Sequence, residues 1–209
     1  MTPLDHFNSI WDRCEQLAAM HAYLARQLTV ALRPDELLRA EWVTRVSALD
    51  LYVHELVTQK MLETFEENRI PSNGYLRFQV ANDTLMRIKT APTPYDARQA
   101  FDLELRTRLG YSTFQDPDKI ADGIRLCSDV ELWNEIALKQ GAAQATKFAV
   151  AKGIKRELSL IVERRNKIAH EGDLQPFSPR VPWSIDRPDV QRVADCIKGI
   201  VHAIDEIIK

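Results

Sequence analysis

The sequence predicts an all-α helical bundle. Seven glycines among 209 residues leave few natural breaks. Almost no segment alternates apolar and polar residues as a half-buried strand does. Long stretches instead carry apolar residues three and four apart, the spacing that gathers them on one face of a helix. At this length the chain can bury a substantial core as one domain over 1–209.

Taken in order, residues 4–32 read as a first helix. The Arg33-Pro34 step closes it, because the residue before a proline is pushed out of helical geometry. A long second helix covers 35–68 and is ended by Asn68, Pro71, Asn73 and Gly74. The middle is more broken. Helical period covers 77–89, and Thr93-Pro94-Tyr95-Asp96 then supplies a cap, a first-turn proline and a returning acid. That helix runs to residue 108 and Gly110 stops it. Asp116-Pro117 opens a short helix to 126, and Ser128-Asp129-Val130-Glu131 reads as a capping box for another that ends before Gly141. A helix over 144–170 stops at Gly172, and a loop with Pro176, Pro179 and Pro182 follows. Asp186 and Pro188 open the last helix, in which Val190, Val193, Ala194, Ile197, Ile200, Val201, Ile204 and Ile208 form one apolar stripe. Residues 4–68 and 144–209 are the expected core helices, with 70–142 a helical elaboration between them.

Composition narrows the function. Hydrophobic residues are 45% and charged residues 28% of the chain, within the globular range. No apolar run reaches the length of a membrane span, and the amphipathic, acid-bearing start is unlike a secretory or transit peptide. The expectation is a cytoplasmic protein without a membrane partner. Cys14, Cys127 and Cys196 are odd in number and far apart, so buried reduced thiols are expected rather than disulfides or a zinc site. A net charge of −2 and a pI near 6.2 disfavour a protein that coats nucleic acid. They allow an enzyme that gathers positive charge at one cleft. No carboxylate pair or His/Asp/Glu cluster has metal-ligand spacing, and no glycine-rich phosphate loop is present, so neither a two-metal nuclease nor an NTPase is indicated, and no cofactor is expected.

Two charges fall on faces where apolar residues belong. On a wheel of about 100° per residue, Ile154, Leu158, Ile161, Val162, Ile168 and Ala169 share an arc with Arg165 in its middle and Arg164 near its edge. On the second helix, Trp42, Val46, Leu49, Val53, Leu56, Val57 and Met61 form an arc that contains Asp50, with His54 one turn on. A guanidinium cannot shed its charge, so Arg165 needs a partner or an opening to water. One reading pairs Arg165 with Asp50 as a core ion pair that fixes helix packing. The other has Asp50 hold Arg165 at the floor of a cleft with His170 at its rim. Spacing alone does not separate them.

The segment Glu163-Arg164-Arg165-Asn166-Lys167-Ile168-Ala169-His170-Glu171-Gly172 resembles the Arg-x4-6-His signature of the HEPN superfamily, with four intervening residues and an Asn after the Arg. The signature characteristically ends a helix in an all-α bundle, as here. The form RRNxIAH near the C-terminus is most similar to the RiboL-PSP-type HEPN branch. That branch also tends to carry a helix of the kind seen in Trp42–Leu56, with its Trp, its Ser-Ala-Leu-Asp and its His. The resemblance implies an HEPN-like bundle that cleaves RNA, commonly as a homodimer with two motifs in one cleft. Such domains are often toxins or phage-defence effectors with an antitoxin or other defence-system partner. Some members are inactive scaffolds, which leaves a non-catalytic helical interaction module as the alternative.

Metal-independent RNA cleavage uses the neighbouring 2′-hydroxyl as nucleophile. His170 is the expected proton carrier, since imidazole titrates near neutrality. Arg165 suits the charge on the phosphoryl oxygens. Asn166 is expected to orient the phosphate or the imidazole, and Asp50 and His54 to support the site. Arg164, Lys167, Lys155 and Arg156 are expected to form an RNA-binding rim. His6, His21 and His202 read as surface or packing residues.

Overall fold

A computed structural model describes residues 1–27 and 34–209. Among the described residues the chain is helical with no β-strand. The helices are α1 (Pro3–Gln27), α2 (Asp35–Phe65), α3 (Asn73–Leu76), α4 (Asn82–Lys89), α5 (Pro94–Leu109), α6 (Pro117–Arg125), α7 (Leu132–Lys139), α8 (Lys147–Glu171) and α9 (Arg187–Ile207). The predicted continuation of the first helix over residues 28–32, and Arg33 of the Arg33-Pro34 step, lie outside the described residues. Among the described residues no helix is long and apolar enough to cross a membrane.

Helix α2 is the axis of the bundle and packs against α1, α5, α6, α8 and α9. The stripe expected on it, from Trp42 to Met61, is buried throughout. A further face, carrying Glu41, Arg45, Ala48 and Tyr52, is buried as well. There Phe7 of α1 meets Tyr52 edge-on at 6.0 Å, and the Arg45 guanidinium lies 4.3 Å over the Trp11 ring. Arg45 also pairs with Glu41 at 2.5 Å, and Glu41 holds Arg187 at the start of α9 at the same distance. Burial of long cationic side chains is tolerable only with such partners.

The final helix follows the expectation closely. Asp186 caps it with a reciprocal capping box to Asp189, and all eight residues of its predicted stripe are buried. The middle segment is less separate than its broken pattern suggests. α5 and α6 pack on α2, and α7 packs on α8 and α9. Phe101, Leu105, Ile120, Ile124 and Ile136 join the same apolar core as α2 and α9. The predicted caps Thr93 and Asp116 accept hydrogen bonds from Asp96 and Asp118. The expected box at Ser128 does not form, because α7 begins only at Leu132 and Glu131 makes no side-chain cap. The Asp129 carboxylate instead accepts from the backbone and side chain of Asn73, both at 3.1 Å. That bond docks α3, a turn of helix hidden in what reads as a Pro-Ser-Asn-Gly breaker and capped by Ser72.

One buried carboxylate ties the start of α2 to the end of α8. Asp173, fully buried, follows the left-handed Gly172 that terminates α8 and is itself left-handed at φ 54°. Arg39 of α2 reaches it at 3.1 Å and Arg164 of α8 at 3.2 Å. The same two guanidiniums donate to the carbonyls of Trp183 at 2.6 Å and Ser184 at 2.7 Å. Trp42 completes the junction, since its indole N–H donates to the Ile161 carbonyl at 3.0 Å and its ring lies 5.1 Å beneath Arg164.

Removing Arg39 leaves the buried Asp173 carboxylate with Arg164 as its one cationic partner and the Trp183 carbonyl without its arginine donor. Arg39→Ala is expected to cost about 3 kcal/mol or more of unfolding free energy. Glu36→Ala removes an exposed partner of the same arginine and is expected to cost under about 1 kcal/mol. Urea denaturation of the two variants beside the parent measures the difference.

Candidate active site

Arg164 and Arg165 are adjacent in sequence and differ in every contact. Arg164 is committed to Asp173, Ser184 and Trp42, as described above. Arg165 is half-buried, and among the described residues no carboxylate lies within ion-pair distance of it. Its Nε, like that of Arg164, is buried without an acceptor among those residues, and its Nη1 donates to Asn166 Oδ1 at 2.9 Å. The guanidinium is therefore drawn toward the side of α8 that carries Asn166. His170 lies one turn beyond Asn166 on that side, since residues four apart share a helix face. Both Asn166 and His170 are exposed. The helix end thus brings together an arginine without an acidic partner, an amide bonded to it, and an exposed imidazole.

Local sequence produces this end. Gly172 takes φ +67°, a conformation in which a side chain on Cβ is strained. The N–H groups of Gly172 and Asp173 both turn back to the Lys167 carbonyl. The chain reverses there, and His170 stands exposed in the last turn of α8.

The expected pairing of Asp50 with Arg165 is not made. The two oxygens of Asp50 accept from the Phe114 N–H at 2.6 Å and the Gln115 side-chain amide at 2.8 Å. His54 Nε2 lies 3.6 Å from the same carboxylate, and its ring packs on Phe114 at 4.5 Å. Asp50 and His54 therefore latch the segment before α6 onto α2. The physical reason is register. Arg39 meets Asp173 and Trp42 meets Ile161, so α2 and α8 run in opposite directions, and Asp50 lies about 12 Å further along α2 than Trp42. Phe114 is seated against Gly123, where a Cβ would come within 2.7 Å of its ring. The buried charges that join α2 to the end of α8 are Arg39, Arg164 and Asp173, not Asp50 and Arg165.

The predicted basic rim divides. Arg164 is withdrawn into the clamp. Lys167 remains near His170 and is paired with Glu163 at 2.8 Å, a bond that raises its pKa. Lys155 and Arg156 stand about 20 Å away along the helix. They line a cleft of about 700 Å³ between α6, α7 and the first half of α8, together with Arg125 and Lys152. Lys155 is bonded there to Asp118 at 2.6 Å, which lowers the pKa of that carboxyl. His6 and His21 are half-buried on α1 and His202 is exposed on α9. Cys14 and Cys127 are buried and Cys196 is half-buried, and burial pushes their thiols up to about 11, 12 and 12. Among the described residues no three His, Cys, Asp or Glu side chains converge as a metal site would require.

Sequence reasoning missed Asp173 and Arg39. Asp173 looks like an ordinary loop acid after a glycine. Arg39 carried a readable signal, because it precedes Trp42 by three and Val46 by seven and so shares their buried face.

Comparison with known proteins agrees with the all-α fold. The RiboL-PSP-HEPN family profile matches residues 9–209. No curated protein and no solved structure matches the chain. The profile extends from within α1 to the last residue, through the middle helices and the Arg165–His170 motif, and the chain belongs to the RiboL-PSP-HEPN family.

Proposed function

We propose that this chain is a metal-independent endoribonuclease acting through the end of α8. The observation that carries the reading is the contrast between the tandem arginines. Arg164 is ion-paired with the buried Asp173 and donates to the Ser184 carbonyl, whereas Arg165 has no carboxylate partner and hydrogen-bonds only the neutral Asn166 among the described residues. A cation held in place without an anion is available to a phosphate, and a planar guanidinium suits two phosphoryl oxygens at once.

In the proposed reaction His170 removes the proton from a ribose 2′-hydroxyl. The 2′-oxygen attacks the adjacent phosphorus, Arg165 stabilises the negative charge that gathers on the phosphoryl oxygens, and the bond from phosphorus to the 5′-oxygen breaks. The leaving oxygen takes a proton, and the products are a 2′,3′-cyclic phosphate and a 5′-hydroxyl. A single imidazole cannot accept and donate in the same event, so a two-fold dimer that brings two His170 side chains to one cleft supplies both roles. Family membership supports RNA as the substrate class. A toxin or phage-defence effector restrained by an antitoxin or another defence-system partner is the setting such an activity fits. A helical scaffold without catalysis is the competing reading, favoured if the wild-type protein leaves RNA intact.

Incubating purified protein with labelled RNA in EDTA tests the reading. Cleavage is expected to persist, and His170→Ala is expected to lower it by about 10²–10⁴-fold while the fold is kept. Arg165→Ala is expected to fall similarly, since its charge supports no buried acid. Replacing the 2′-hydroxyl at the cut site by hydrogen should abolish cleavage there. Wild-type cleavage by the His170→Ala variant would remove the assigned mechanism.

Sedimentation at micromolar concentration is expected to show a dimer. A strict monomer with full activity would assign both proton transfers to one chain. Asp50→Ala should separate stability from chemistry. Loss of its two accepted hydrogen bonds is expected to destabilise the fold by about 1–3 kcal/mol, with the cleavage rate at low temperature close to that of the parent.

A further inference from the structure

The loop that follows the motif has its own site. Residues 173–184 are pinned at both ends by the Arg39 and Arg164 guanidiniums, which hold the Asp173 carboxylate and the Trp183 and Ser184 carbonyls. A short antiparallel bridge between Leu174 and Pro182 continues the stem, with the Gln175 N–H donating to the Val181 carbonyl at 2.9 Å. Between this stem and the last turns of α8 lies a cleft of about 560 Å³, a size typical of a small-ligand site. Its lining includes Trp183, Lys167, Gln175, Arg180 and the acidic Glu171.

Trp183 is the unusual member. Trp11, Trp42 and Trp133 are 5%, 7% and 8% exposed, whereas Trp183 is 43% exposed. The indoles of Trp42 and Trp133 donate to backbone carbonyls, and that of Trp183 has no acceptor among the described residues. Arg180 is exposed and forms no ion pair among them. An aromatic face beside two cations and one side-chain amide is the combination that holds a nucleotide: stacking for the base, charge for the phosphate, an amide for the base edge.

The cleft also has the right place. Around α8, His170 sits about 60° from Lys167 on one side and about 40° from Asn166 on the other. A strand crossing the helix end would pass from the cleft, over His170, to Asn166 and Arg165. We infer that the loop stem and α8 form a nucleobase-binding subsite for single-stranded RNA, with Trp183 as stacking platform, Arg180 and Lys167 as phosphate contacts and Gln175 as base reader. The inference rests on the ribonuclease reading for the class of ligand. The bordering Leu174, Phe177 and Val181 are also exposed, but a purely protein-binding patch gives no role to the cations flanking Trp183.

Tryptophan fluorescence tests the subsite without requiring turnover, because Trp183 is the most accessible of the four indoles. Short 2′-O-methyl oligoribonucleotides, which present bases and phosphates but no 2′-hydroxyl nucleophile, are titrated into the full-length protein. Saturable quenching is expected in wild type and in His170→Ala. In Trp183→Leu the quenching should be lost and binding, followed by anisotropy of a labelled oligonucleotide, weakened at least about tenfold, with Trp183→Phe recovering most of it. Arg180→Ala should weaken binding and flatten its salt dependence. Unchanged affinity in Trp183→Leu, together with an unchanged cleavage pattern, overturns the subsite and leaves the nuclease standing. Quenching without any cleavage by wild type supports the subsite and removes the nuclease. A Trp183 signal that follows protein concentration and ignores RNA assigns the patch to a second copy and overturns the inference.

Discussion

A carboxylate removed from water must be met by donors, and the Asp173 side chain is met by two arginines from different helices. This demand fixes the relation of α2 to α8 more tightly than apolar contact alone, because a hydrogen-bonded charge pair needs donor and acceptor at about 3 Å and well aligned, whereas apolar burial is non-directional. Once Arg39 and Arg164 converge on Asp173, Trp42 is brought under Arg164, the turn at Gly172 is closed, and the returning segment through Trp183 and Ser184 is drawn onto the bundle. The same convergence decides which arginine stays outside. Arg164 is spent on structure, and Arg165, one residue on and about 100° around the helix, is left facing the other way.

Much of this was legible in the sequence. The stripes of α2 and α9, the caps at Thr93, Asp116 and Asp186, and the stop at Gly172 all follow from local chemistry that acts within a few residues. The motif at the end of α8 was legible for the same reason. What could not be read was the register between helices. Asp50 and Arg165 both occupy largely apolar faces, and angular position on a wheel says nothing of height along the partner helix. Asp50 therefore found Phe114 and Gln115, which lie far from it in sequence and near it in space. The α7 boundary failed for a related reason: Asp129 has a competing partner in Asn73, and no local pattern announces a bond across 56 residues.

The second face of α2 shows why simple amphipathic patterns understate burial in this chain. Glu41 and Arg45 look like an exposed i,i+4 pair, yet both are buried and joined to Glu15 and Arg187. The central helix of a bundle has neighbours on nearly every side, so polar residues enter its core wherever they arrive with partners. The tandem arginines, the Glu41 cluster and the Asp50 latch share a design in which position along the helix, rather than residue type, separates structural charge from charge open to a ligand.

The clamp also divides the loop after α8 into a fixed stem and an exposed tip running from Pro176 to Arg180. Nothing in the core depends on the tip, since the anchoring bonds all fall on Asp173, Trp183 and Ser184. Changes of length or composition between Pro176 and Arg180 are therefore open to selection at little cost in stability, because lengthening a surface loop costs only a few tenths of a kcal/mol. Such a division lets one bundle diversify what it recognises while the helix end, the clamp and the axis stay unaltered, much as a tool keeps its handle when the bit is exchanged.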